Sequence, residues 1–208
     1  MPAERLRCSL IEDFLAALQK CLEEAPSAVL ESAMFDTFKY TTTGSCFCHP
    51  RTLGFLAKAA WSLPTTAAVE IDVHLNSGDG IRFNPDVVLR DGDGVALLAI
   101  DFESPNSGDP RVIEKDVGAY LRWIDTQVAP VPYLIITSLP SKQRSRSEWT
   151  VRYYRNADHS KSEVRENPLK YWCSYWRDHL DPRWKDHPVE FANFDGTRLH
   201  ASTELLMK

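Results

Sequence analysis

The sequence predicts a single α/β domain in which a mixed β-sheet is flanked by helices. Three observations support this prediction: apolar residues recur at helical spacing near the N-terminus, strict apolar/polar alternation begins near residue 67, and a later helix is followed by an apolar strand. The chain has 208 residues, about the length of one domain. Hydrophobic residues make up 43% and charged residues 25%, which excludes a disordered or fibrous chain.

Residues 1–64 are expected to form a helical N-terminal part. Apolar residues at helical spacing predict a helix over residues 8–24, which ends before Pro26. Ser27 is a suitable N-cap for a second helix that extends to about residue 38. A third helix is predicted over residues 50–62, with a proline in its first turn.

Residues 65–155 are predicted to hold the sheet and the functional core. Alternation and turn signals predict three strands, over residues 67–75, 81–90 and 95–103. An Asp-Gly step in the second turn favours an antiparallel hairpin between the second and third strands. A helix, a central buried strand and a further strand are expected to follow, over residues 111–126, 133–138 and 149–154.

Residues 156–208 are predicted to be a basic and aromatic C-terminal extension with a helix over 168–180. Between residues 139 and 185 there are 11 Lys and Arg against 6 Asp and Glu, although the whole chain has a net charge of −5. Such asymmetry permits a basic nucleic-acid surface beside an acidic site. The aromatic residues of this part can stack on bases, but at helical spacing they more often form a core or a dimer face: Tyr171, Trp172, Tyr175, Trp176 and Trp184.

Two classes of protein are disfavoured by composition. The longest aliphatic run covers only residues 95–100, and Glu12 and Asp13 interrupt the segment where a signal peptide needs apolar residues. We therefore expect a cytoplasmic protein without a membrane partner. Five scattered cysteines do not indicate a disulfide framework, and Cys46-Phe47-Cys48-His49 lacks the second ligand pair of a zinc finger.

The chemistry is predicted to lie in two acidic segments, Asn84-Pro85-Asp86 and Asp101-Phe102-Glu103. Asp101 and Glu103 should share one face of a strand, and the hairpin should place Asp86 near the same end. Crowded carboxylates repel one another unless a cation neutralises them, and oxygen ligands of this kind suit Mg²⁺ or Mn²⁺. The competing interpretation is that these are three solvated carboxylates at strand ends.

Pro85-Asp86, followed after fourteen residues by Asp101-x-Glu103, resembles the motif of the PD-(D/E)XK nuclease superfamily. The continuation through Ser104-Pro105-Asn106-Ser107, Asp109, Lys115 and Tyr120 is similar to that of small bacterial endonuclease families. The resemblance covers about residues 69–154. It implies a restriction endonuclease-like core, consisting of a helix, a three-strand meander, a helix and a strand. It also implies a Mg²⁺-dependent phosphodiesterase that acts on nucleic acid, with DNA as the expected substrate.

The sequence departs from this motif at Glu103, because most of the superfamily has lysine there. The resemblance leaves two ways to retain activity. In the first, Glu70 joins Asp86, Asp101 and Glu103 as metal ligands in a two-metal site, as in some restriction endonucleases. In the second, Lys115 reaches back from the next helix and restores the positive charge. Glu31 competes with Glu70 as the fourth acid.

The basic segment provides candidate phosphate contacts, which would give salt-dependent affinity without sequence preference: Lys142, Arg144, Arg146, Arg152 and Arg155. Restriction-type enzymes often dimerise, so a homodimer is one expected assembly. The alternative function is a catalytically inactive nuclease-fold protein that serves as a nucleic-acid-binding or assembly module.

Overall fold

The computed structural model describes residues 3–26, 48–103, 111–138, 153–154, 162–163, 168–195 and 198–207. Five α-helices lie within these ranges: α1 (Ala3–Glu23), α2 (Cys48–Trp61), α3 (Arg111–Ile124), α4 (Pro168–His179) and α5 (Thr203–Met207). A 3₁₀ helix covers Pro182–Asp186. Ten strands are present in the same ranges: β1 (Ala68–Ile71), β2 (Leu75–Asn76), β3 (Arg82–Phe83), β4 (Val87–Arg90), β5 (Ala96–Glu103), β6 (Tyr133–Thr137), β7 (Tyr153–Tyr154), β8 (Ser162–Glu163), β9 (Val189–Phe194) and β10 (Leu199–Ala201).

Six of these strands form one mixed sheet in the order β1-β4-β5-β6-β9-β10. The pairs β1–β4, β4–β5 and β9–β10 are antiparallel, whereas β6 is parallel to both β5 and β9. This confirms the predicted mixed sheet and the predicted β4–β5 hairpin, in which Val87 lies opposite Ile100. β6 is central and all five of its residues are buried, as its apolar sequence predicted.

Helices cover both faces of the sheet. Successive strand residues point to opposite faces, and the central strands carry apolar side chains on both of them. On one face, α1 and α2 pack against β4 and β5 through residues such as Phe14, Leu18 and Leu56. On the other face, α3 and α4 pack against Ala99, Ile135 and Phe191. The domain therefore has two hydrophobic layers, one on each side of the sheet.

The predicted strand over residues 67–75 is divided in the structure at Asp72. This residue adopts a φ of 53°, a left-handed conformation that Asp tolerates better than most residues. Before it, Val69 packs with the α1–α2 layer; after it, Val73 and Leu75 pack with the α3–α4 layer. The single residue thus reverses the alternation, and the β2–β3 hairpin turns toward α3.

The helices predicted over residues 8–24, 50–62, 111–126 and 168–180 are present, with ends that differ by a few residues. The predicted helix over residues 27–38 lies outside the described residues. The strand predicted over residues 149–154 is described only as β7, which pairs with β8 in a small separate sheet. No helix in the described part of the chain is long and apolar enough to cross a membrane.

The C-terminal part contributes β9 and β10 to the central sheet, which the sequence pattern did not predict. Trp172, Trp176 and Trp184 are buried in the α3–α4 layer, so the core interpretation of the aromatic residues is confirmed for these three. Among the described residues, Cys21 and Cys173 are buried free thiols. The Cys46–His49 cluster falls largely outside the described residues.

Candidate active site

Asp86 and Asp101 come together at one end of the β4–β5 hairpin, as the sequence predicted. Asp86 directly precedes β4, and the hairpin register places it beside Asp101 on β5. The backbone N–H of Asp86 donates to Oδ1 of Asp101 over 2.8 Å, and the N–H of Phe102 donates to Oδ2 of Asp86 over 2.8 Å. Each carboxylate is therefore held by the backbone of the opposite strand.

Asp101 is the buried member of the pair, with only 6% of its surface exposed. Its second oxygen, Oδ2, accepts a hydrogen bond from the Tyr133 hydroxyl. Burial raises the pKa of Asp101 well above its ordinary value, and the charges of Asp86 and Asp116 act in the same direction. The hydrogen bonds from Tyr133 and Asp86 oppose this rise without cancelling it. A cation at this position would offset the unfavourable charge.

Asp116 is a third acid whose charge acts on this pair, and the sequence analysis did not assign it to the site. Burial raises the pKa of Asp116 to about 6; Lys115 opposes the shift, and Asp86 adds to it. Asp116 lies on α3 in helical phase with the buried residues Ile113 and Tyr120. That phase was readable from the sequence and indicates a partly buried carboxylate on the sheet-facing side of the helix.

Glu103 ends β5 on the face that it shares with Asp101 by alternation. It is half-buried, and its backbone position lies opposite Thr137 of β6. The row continues in register through Asn193 of β9 to His200 of β10, and the Thr137 hydroxyl donates to Oδ1 of Asn193 over 3.0 Å. Glu103 thus begins a polar row at the carboxyl end of the parallel strands, the edge where open α/β sheets bind ligands.

Lys115 is exposed on α3, next to Asp116 in the chain. Its positive charge lowers the pKa of Asp116, although the Lys115 side chain itself is exposed to solvent. The neighbouring Glu114 accepts a hydrogen bond from the Tyr175 hydroxyl on α4, over 2.8 Å. The role of Lys115 as a replacement for the missing lysine stays a prediction.

The structure does not bring Glu70 to the Asp86–Asp101 pair. Its Oε2 atom accepts a hydrogen bond from Nε of Arg90 over 2.8 Å, and Arg90 lies at the opposite end of β4 from Asp86. A metal at Glu70 would have to compete with the Arg90 guanidinium for this carboxylate. Glu31, the alternative fourth acid, falls outside the described residues. The five candidate phosphate contacts also fall outside them: Lys142, Arg144, Arg146, Arg152 and Arg155.

The carboxylates of Asp86 and Asp101 suit the hard-cation chemistry of Mg²⁺, the ion that the sequence predicts. Among the described residues, no three His, Cys, Asp or Glu side chains are arranged to hold a metal ion. Mg²⁺, however, is commonly bound through one or two carboxylates together with water and substrate phosphates. Two adjacent carboxylates, one of them buried with a raised pKa, fit that mode of binding. A second metal ion would need ligands beyond this pair.

Comparison of the chain with protein-family models, with curated proteins and with solved structures found no match.

Replacing Asp116 with Asn should stabilise the metal-free protein at pH 7.5. The folded-state pKa of about 6 lies above the unfolded value, so the folded state binds the proton more tightly. Stability from this group is present at low pH and is lost as the pH rises from about 4 through 6. Each pKa unit corresponds to about 1.4 kcal/mol, and we expect a gain of roughly 1–3 kcal/mol at pH 7.5.

Urea unfolding with a chelator present, at pH 4 and at pH 7.5, measures this effect. The gain of Asp116→Asn over the wild type should shrink at pH 4. Asp93→Asn, in the exposed turn between β4 and β5, is the matched control and should show no such pH dependence. An equal gain at both pH values would contradict the electrostatic explanation.

Proposed function

We propose that this protein is a metal-dependent nuclease that hydrolyses phosphodiester bonds in nucleic acid, with DNA as the expected substrate. The observation that carries the proposal is the Asp86–Asp101 pair. Each carboxylate is fixed by the backbone of the opposite strand, and the buried one has a strongly raised pKa. Such a pair is costly for a protein that does not use it, because it concentrates negative charge where water cannot screen it.

The topology supports a restriction endonuclease-like core. α2 is followed by the antiparallel β1, β4 and β5, and then by α3 and by β6 parallel to β5. This is the order of helix, meander, helix and strand that the motif resemblance implies. The β2–β3 hairpin lies between β1 and β4 in the chain and forms a separate two-stranded sheet.

In the proposed site, Asp86 and Asp101 would hold a Mg²⁺ ion, and Glu103 would complete the ligand shell on the same face of β5. A bound Mg²⁺ ion polarises a phosphoryl oxygen and lowers the pKa of an attacking water. The backbone N–H of Asp86 donates to one oxygen of Asp101, and the Tyr133 hydroxyl donates to the other. The positive charge of Lys115 acts on Asp116, the third acid of this region.

A second candidate function is a nuclease-fold binding or assembly module without activity. Two observations favour it: Glu103 stands where the superfamily has lysine, and the described residues contain no group of three metal-binding side chains. Such a protein would bind nucleic acid through its basic segment and would have no need for a divalent cation.

Titration calorimetry with Mn²⁺, together with cleavage assays on DNA and RNA, separates the two functions. The nuclease should bind Mn²⁺ and cleave in Mg²⁺ or Mn²⁺, and a chelator should stop the reaction. Asp93→Asn should behave as the wild type does. A protein that binds nucleic acid but neither binds Mn²⁺ nor cleaves in either metal would contradict the nuclease proposal.

The basic segment allows a separate test of substrate binding. Replacing Lys142, Arg144 and Arg146 together with Ala should weaken DNA binding equally across sequences. Binding releases fewer counterions for each phosphate contact that is lost. The plot of log K against log salt should therefore flatten by about 0.9 per lost contact, and at most by about 2.7 for three contacts. Fluorescence anisotropy at several salt concentrations measures the slope.

The matched control removes the same number of positive charges from α1 and α2, through Lys20→Ala, Arg51→Ala and Lys58→Ala; all three residues are exposed. Its slope should stay close to that of the wild type. Equal flattening in both triple variants would mean that only net charge matters and that the basic segment has no specific role.

A further inference from the structure

Two stacked tyrosines lie beneath the candidate site in the α3–α4 layer. Tyr120 and Tyr133 are both fully buried, and their ring centroids are 4.8 Å apart at an interplanar angle of 26°. Their hydroxyl groups have different acceptors. Tyr120 donates to the backbone carbonyl of Val131 over 2.7 Å, whereas Tyr133 donates to Oδ2 of Asp101. The two tyrosines thus share one buried environment, but one hydroxyl donates to a backbone carbonyl and the other to a carboxylate.

The position of Tyr133 is fixed by the sheet and by its neighbours. On the central strand β6 it lies opposite Ala99, two residues before Asp101 on the same face of β5. Phe83 packs edge-on against its ring, with the centroids 5.0 Å apart, and Tyr120 covers another side. A ring held on several sides cannot turn its hydroxyl elsewhere without disturbing the core. The hydroxyl is thus a fixed donor aimed at the carboxylate.

The Tyr133 hydroxyl and the backbone N–H of Asp86 approach different oxygens of Asp101. Because the Asp86 N–H donates to Oδ1 and Tyr133 donates to Oδ2, each carboxylate oxygen of Asp101 has one hydrogen bond and a further lone pair available.

We propose that Tyr133 is a positioning residue that orients Asp101 as a ligand for the divalent cation. This inference rests on the proposed function and names a residue outside its motif. A buried tyrosine needs an acceptor, but a carbonyl is sufficient, as Tyr120 shows. Tyr133 instead donates its hydrogen bond to Asp101, the buried carboxylate of the candidate metal pair. Groups of this kind, which hydrogen-bond a metal ligand, typically change metal affinity or activity by about 10- to 100-fold when they are removed.

The two tyrosines provide a matched pair of variants, since Tyr133→Phe and Tyr120→Phe each remove one buried hydroxyl and keep the ring. Titration calorimetry at pH 7.5 should give a Kd for Mn²⁺ that rises about 10- to 100-fold in Tyr133→Phe and does not change in Tyr120→Phe. The Mg²⁺ concentration that gives half-maximal cleavage should rise by a similar factor. The rate at saturating metal should fall less, because excess metal restores occupancy of the site.

Urea unfolding with a chelator present separates these effects from simple loss of fold, and both variants should retain a cooperative transition. If Tyr133→Phe and Tyr120→Phe change the Kd equally, or not at all, the positioning role is overturned. Asp101→Asn then distinguishes the two proposals. If it abolishes Mn²⁺ binding while Tyr133→Phe has no effect, the nuclease proposal stands and the role of Tyr133 does not. If the wild type binds no Mn²⁺, both proposals are overturned.

Discussion

Asp86→Asn and Asp101→Asn should each abolish metal-dependent cleavage while the fold remains intact. Each substitution removes one of the two carboxylates that the structure holds together, and a neutral amide is a poor ligand for Mg²⁺. The metal-free protein loses a costly buried charge at Asp101, although one donor there is left with a poorer acceptor. These effects oppose each other, so we expect the free energy of unfolding to change by no more than about 2 kcal/mol.

Gel-based cleavage assays give the activity, and circular dichroism with urea unfolding gives the state of the fold. Asp93→Asn is again the control for loss of one exposed carboxylate. Normal cleavage by either Asp86→Asn or Asp101→Asn would remove that residue from the site. A variant that lost activity because it unfolded would be recognised by its missing urea transition.

Glu103→Lys and Lys115→Ala should together show how the protein manages without the usual lysine. If Glu103 is a ligand in a two-metal site, Glu103→Lys deletes a ligand and activity falls in Mg²⁺, whereas Lys115→Ala stays active. If Lys115 supplies the stabilising charge, Lys115→Ala should lower kcat by about 10²–10³, the usual cost of one preorganised electrostatic donor. Glu103→Lys should then be tolerated.

We favour a ligand role for Glu103 over a replacement role for Lys115, since Glu103 shares the face of β5 with Asp101 whereas Lys115 is exposed on α3. Steady-state rates measured in both Mg²⁺ and Mn²⁺ decide between the interpretations. Lys115→Gln is a useful companion because it keeps a polar side chain that is only one atom shorter while removing the charge. Full activity in all three variants would place neither residue in the site.

The Asp86–Asp101 pair was predictable in outline because both residues belong to one hairpin. The Asp-Gly turn at residues 91–94 begins the hairpin with Arg90 opposite Ala96. A one-residue irregularity between Leu89 and Arg90, which the sequence pattern does not indicate, then shifts the register so that residues 86 and 101 meet at the far end. Glu70 was less predictable, since alternation specifies the face of a strand but not which neighbour a long side chain selects. On that face Glu70 selects Arg90, and nothing in the spacing of the motif indicates this.

Other features depend on contacts between distant parts of the chain. β9 pairs in parallel with β6, although the two strands are more than 50 residues apart in the sequence. The short segment around residues 189–194 carries too weak an alternation to predict this. Similarly, the acceptor of the Tyr133 hydroxyl follows from the β5–β6 register, which no local turn determines.

The left-handed turn at Asp72 has a consequence that reaches the acidic pair through mechanical support. It directs the β2–β3 hairpin onto α3, where Phe83 packs against Tyr120 and Trp123 of that helix and against Tyr133 of β6. The rigidity of Asp101 therefore depends, through Tyr133 and Phe83, on one exposed backbone conformation. A β-branched residue at position 72 would disfavour the positive φ of this turn and would thereby weaken the packing of Phe83 against Tyr133.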